Sequence, residues 1–127
     1  MIEILTVSDP KEREIICKLA ELQDREDLRI IAAFSNGEVE SGAVFEYSDT
    51  HGKILWLQSM EDDDITEGLV RAILNIMDLR GVESAWLDKK YAVIAKKLRF
   101  KAVEDGFTVE LKNFFTCGCC KQKGAIN

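Results

Sequence analysis

Two short apolar runs, KILWLQS at 53–59 and VESAWL at 82–87, enclose a segment whose apolar residues recur at helical spacing. Ile65, Leu69, Ile73, Ile76 and Met77 mark one face of a helix, and Arg80-Gly81 places a cation and a glycine where a helix should stop. A strand, a helix and a strand with connections this short form a right-handed βαβ unit, so the strands at 54–58 and 82–87 should lie parallel.

The remainder of the chain supplies antiparallel partners. IEILTV at 2–7 reads as a first strand. SDPKE then carries a helix start: Asp9 can cap, Pro10 suits the first helical position, and Glu12 completes a variant capping box. Ile15, Ile16, Leu19 and Leu22 give that helix a buried face, ending around Asp24 to Asp27, with Cys17 as a small buried filler. LRIIAAF at 28–34 and VESGAVFEYS at 39–48 flank Asn36-Gly37, the favoured pair for a type I′ turn because both central residues need positive φ. Asp49 to Gly52 makes a second reversal, with His51 as a solvated turn residue, which predicts a three-strand meander. Beyond residue 87 the expectation is a shorter helix over Lys89 to Leu98, then FKAVED and FTVELKNFF as a closing hairpin around Asp105-Gly106. Trp56 and Trp86, on the two parallel strands, are assigned to the core.

The chain has 127 residues, 46% of them hydrophobic, and a single proline, which suits one domain with one sizeable core. A net charge of -6 argues against nucleic acid as an obligate partner, despite a local basic patch at Lys96, Lys97, Arg99 and Lys101. No apolar run approaches the ~20 residues of a membrane span and no leader pattern opens the chain, so a cytoplasmic protein with reduced thiols is expected.

The stretch DKKYAVIAKKLRFKAVEDGFTVEL at 88–111, together with the element order, resembles the GNAT (N-acetyltransferase) superfamily across roughly residues 1–115, leaving 116–127 as a cysteine-containing tail. That family shows Asn-x-x-Ala-x-x-x-Leu-Tyr-x-x-x-Gly-Phe here. Asp88 falls on the Asn, Leu98 on the apolar position before Gly-Phe, and Phe100 on the Phe. The resemblance implies a GNAT-like α/β (α+β) fold, a mixed and mainly antiparallel sheet flanked by helices. It also implies acyl transfer from acetyl-CoA to an amine.

Carried over by position, backbone groups at Gln58 and Ser59 would hold the pantetheine arm. Those of Ile65, Thr66, Glu67, Gly68 and Leu69 would hold the pyrophosphate, and Asp88 would contact the cofactor. The tyrosine that commonly protonates the CoA thiolate aligns with Ala95, whereas Tyr91 lies one turn earlier on the same face and is the candidate acid. Glu46 and Gln58 are placed to flank a substrate cleft and relay a proton through water.

The chain departs from the family where the pyrophosphate should sit. The family's Arg/Gln-x-x-Gly-x-Gly/Ala covers Asp63 to Gly68 and only Gly68 agrees, with Thr66 in place of the middle glycine; Arg99 also stands where Gly is customary. Four acids, Glu61 to Asp64, line this strand-to-helix junction. Acids in a first turn stabilise a helix by about 0.3–1 kcal/mol each through its macrodipole. Three alternatives follow: self-capping with CoA binding weak or lost, a CoA site that tolerates the acids, or a divalent cation.

At the other end, Cys117, Cys119 and Cys120 are candidate ligands for a soft metal, or redox thiols activated by Lys121 and Lys123, or simply a thiol-bearing tail. The rival to an enzyme is therefore a non-catalytic module of the same fold, engaging a partner protein, a second copy of the chain, or a metal through that tail.

Overall fold

The computed structural model describes residues 2–59 and 63–116. In chain order these form β1 (Ile2–Thr6), α1 (Pro10–Leu19), β2 (Arg29–Ser35), β3 (Glu38–Tyr47), β4 (His51–Leu57) and α2 (Asp64–Leu79), followed by β5 (Ser84–Asp88). A 3₁₀ turn (Lys89–Tyr91), α3 (Ala92–Lys97), β6 (Lys101–Val103), β7 (Gly106–Glu110) and α4 (Leu111–Thr116) complete it. Among the described residues the strands make one sheet of order β1-β2-β3-β4-β5-β7-β6. The single parallel pairing there is β4 with β5, the βαβ unit that the sequence demands.

The helices divide between the faces. Ile16 and Cys17 of α1 pack on Ile30, Ala32 and Val44. The opposite face carries Ile31, Phe45, Ile54, Leu57 and Leu87 beneath Leu69, Ile73 and Met77 of α2, Ile94 and Ala95 of α3, and Leu111 of α4. Burying each such Leu, Ile, Met or Phe contributes about 1.5–3 kcal/mol, so this second layer dominates the core.

Local signals explain most boundaries. Asp9 accepts the Glu12 N–H at 3.2 Å with Pro10 opening α1. Asn36 and Gly37 hold φ of 52° and 83°, as the β2–β3 turn requires. Each of α1, α2 and α3 ends in the same way, with a left-handed residue and two returning N–H groups. Leu22 donates to the Cys17 carbonyl, Val82 to Met77 and Phe100 to Ala95. The left-handed residues are Glu21, Gly81 and Arg99.

Three expectations need correction. Helix α1 stops at Leu19, short of Asp24, because Glu21 at φ 58° turns the chain back. The closing strand ends at Glu110, and LKNFFT coils into α4: the Leu111 N–H bonds the Glu83 carbonyl, Leu111 is buried, and Phe114 packs against the main core. Trp56 and Trp86 are only half-buried. Trp56 rims the α1-side cluster, while the Trp86 indole lies over Gly106 and donates to Asp105 at 3.2 Å.

Candidate functional site

The parallel pairing of β4 and β5 runs from His51 with Ser84 to Ile54 with Leu87 and goes no further. Beyond it β4 stays with β3, where Ala43 faces Leu57, and β5 stays with β7, where Asp88 faces Gly106. The sheet therefore forks. A bulge helps: Val44 pairs with Trp56 but Phe45 with Ile54, so Leu55 is an extra residue in β4. Leu55 and Trp56 consequently pack toward the same cluster, and Leu57 faces the other layer.

Tyr91, on the 3₁₀ turn after β5, sits across this fork. It is 1% exposed; its hydroxyl accepts the Leu57 N–H at 3.0 Å and donates to the Leu57 carbonyl at 3.4 Å. Lys90 Nζ lies 5.3 Å from the centre of the tyrosine ring. Asp88 is engaged locally, its carboxylate accepting the Lys90 N–H at 3.0 Å and capping that turn. The Gln58 N–H donates to the Gly42 carbonyl at 3.0 Å, so it too belongs to the sheet.

Helix α2 starts beside the fork's β4 arm. Asp63 is its N-cap in extended conformation, and its carboxylate accepts the Thr66 N–H at 2.6 Å. That N–H, helped by the Ile65 N–H and the Ser59 hydroxyl, holds Asp63 below the ordinary carboxylate range. One turn in, Glu67 bonds Arg71 at 2.8 Å and Lys97 of α3 at 3.0 Å, and these cations likewise depress its pKa. A Cβ on Gly68 would touch Ile4 Cδ1 at 3.1 Å, so that glycine serves helix-to-strand packing. Leu69 is core and Ile65 packs against it.

Glu46 lies elsewhere. It pairs with Lys53, four residues back along β4 from Leu57, which is about 13 Å of strand. Its carboxylate holds Arg25 at 2.8 Å. With Asp27, Tyr47, Ser48, His51 and Lys53 it lines a shallow hollow at the far end of β4, where His51 Nδ1 meets Ser84 Oγ at 3.1 Å. Tyr91 and Glu46 are thus not brought together. Gln58, Ser59, Ile65 to Leu69, Asp88 and Tyr91 do gather around the fork and the start of α2. Glu61, Asp62, Cys117, Cys119 and Cys120 lie outside the described residues. The Lys97–Glu67 pair and the bonding of the Leu57 backbone escape a reading of the sequence, since each joins residues 30 or more positions apart.

The sequence matches no family model and no curated protein. Solved structures do match in shape. The ribosomal-protein-S18-alanine N-acetyltransferase from Escherichia coli superposes with a TM-score of 0.67 over 85% of this chain and 89% of its own, at 10% identity. An N-acetyltransferase from Staphylococcus aureus gives 0.65 over 89% and 99%, at 14% identity. The Escherichia coli protein YhhK bound to coenzyme A gives 0.61 over 87% and 97%, at 19% identity. The fold is the GNAT fold. The sheet is thus GNAT-shaped, and at its β4–β5 fork the Tyr91 hydroxyl bonds the Leu57 backbone.

Proposed function

We propose that the chain is a GNAT-type N-acyltransferase by descent whose use of acetyl-CoA is weakened or lost, leaving a binding module of that shape. The observation that carries this reading is the Asp63 carboxylate seated on the Thr66 N–H at 2.6 Å. Unpaired N–H groups at a helix start are what makes such a place attractive to phosphate. Here the Thr66 N–H is already bonded, and to an anion. A phosphate charge about 6 Å from a carboxylate meets ~1–3 kcal/mol of repulsion, roughly a five- to hundredfold loss of affinity per inward acid.

The other contacts agree. Lys97 and Arg71 already hold Glu67, one turn into α2. Leu57 already has its hydrogen-bond partner in Tyr91. As they stand, these residues do not fit acetyl-CoA, and no transfer step follows from them. Thermal unfolding in millimolar acetyl-CoA tests the reading. The expected result is an unchanged Tm, whereas a micromolar site would add roughly 4 kcal/mol at thousandfold excess and return the chain to the working enzymes.

A working acyltransferase is the second reading, favoured by the fork itself and the bulge at Leu55 that helps to open it. There the protein would position an amine and manage its protons, with Tyr91 as the acid to test. Tyr91→Phe should then lower turnover, and an unchanged rate would remove that role. For the module, the metal content of the full chain compared with one ending at Phe115 tests Cys117, Cys119 and Cys120. Equal metal in both would eliminate the tail as a ligand.

A further inference from the structure

The geometry points to Tyr91 as the side chain that shuts the β4–β5 fork, standing where an amide-bearing ligand would otherwise pair with Leu57. This rests on the reading of the fork as a former acetyl-CoA site and names the residue that closes it.

Where two strands part, each leaves edge N–H and C=O groups in need of partners, and an extended chain carrying amides can satisfy them as an added strand would. On the β4 arm of this fork, the Leu57 N–H and carbonyl both bond a single atom, the Tyr91 hydroxyl, at 3.0 and 3.4 Å. That hydroxyl acts as donor and acceptor at once, the same pair of roles an amide presents. Tyr91 is 1% exposed, within the main core, so its ring is a permanent part of the packing.

Sequence position supports the assignment. Tyr91 stands three residues after Asp88, where the GNAT pattern carries the small Ala, so an aromatic ring fills a place that the pattern leaves open. Tyr91 and Ala95, four residues apart, are both buried in the main core, so the ring is packed rather than presented to solvent.

Binding of acetyl-CoA and of pantetheine, measured by calorimetry on the wild type and Tyr91→Ala, tests this. Removing the ring and hydroxyl should tighten either probe by at least about tenfold, the scale of one regained hydrogen bond. A silent wild type with a binding variant supports both the plug and the cofactor-silent reading. A wild type that binds, with a still tighter variant, keeps the plug and overturns the silent reading. Equal or weaker binding by the variant, silence in both included, overturns the plug. Should Tyr91→Ala fail to fold, Tyr91→Leu, which keeps an apolar side chain in the layer, is read by the same criteria.

Discussion

Gly106 of β7 lies so close under the Leu87 carbonyl of β5 that no side chain fits between them. A Cβ there would strike that backbone oxygen and meet Trp86 Nε1 at 2.9 Å. Gly106→Ala should therefore cost about 2–3 kcal/mol in denaturant unfolding, as overpacking against an immovable group does. Gly52 provides the contrast, because its added Cβ would meet the sulfur and methyl of Met77 at 2.5 Å, the pliable end of a side chain. Gly52→Ala should cost about 1 kcal/mol or less. The reverse order of the two would refute the distinction.

Asp63 caps α2, so Asp63→Ala should lose about 1 kcal/mol at neutral pH, whereas Asp63→Asn keeps an accepting oxygen and loses less. The pH dependence has a definite sign. Asp63 is held below 3.8 by the Thr66 N–H, Asp24 below 3.8 by Arg13, and Glu67 below 4.5 by Arg71. Each contributes stability that is complete above its unfolded value and is lost as pH falls through the lower folded one. Unfolding followed from pH 6 downward should stay level until roughly pH 4.5 and then weaken, more shallowly in Asp63→Asn.

Arg99 and Glu21 occupy left-handed conformations, φ 63° and 58°, at the ends of α3 and α1. A residue with a Cβ pays about 1–2 kcal/mol there, part of which a glycine returns as unfolded-state entropy. Arg99→Gly and Glu21→Gly should each raise stability by about 0.5–1 kcal/mol, shifting Tm by a few degrees. Gly81→Ala, at φ 82°, should move it the other way. A fall in Tm for Arg99→Gly would show that the arginine side chain outweighs its backbone.

Arg13 fastens α1 to the chain that follows it. Its guanidinium bonds both Asp24 oxygens, at 2.6 and 3.2 Å, and the carbonyls of Arg25 and Leu28 at 3.2 Å. Arg13→Lys keeps the charge but not the fork of donors, and should still destabilise by about 1–2 kcal/mol. A lysine variant as stable as the wild type would reduce the contact to charge alone.

The architecture was legible because its signals are local: Asn36-Gly37 for a turn, Asp9-Pro10 for a helix start, Arg80-Gly81 for a helix end, and a 3.6-residue rhythm from Ile65 to Met77. The parallel strands followed from connection length. What escaped was long-range. Glu67 and Lys97 sit on different helices, and Tyr91 reaches Leu57 across 34 positions. The acids at the start of α2 announced their charge in the sequence but not their direction, and only the Asp63 oxygen on the Thr66 N–H reveals that one of them turns inward to its own helix.

The extra residue at Leu55 makes β4 a strand that counts. Pleated backbone alternates sides with every step, and the bulge breaks that rhythm once, so that Leu55 and Trp56 share a side before Leu57 resumes the other. Substituting Leu55 alters packing at one point. Deleting it would restore plain alternation, with Trp56 and Leu57 each keeping its own layer, and would remove the local bend and twist by which β4 leaves β5.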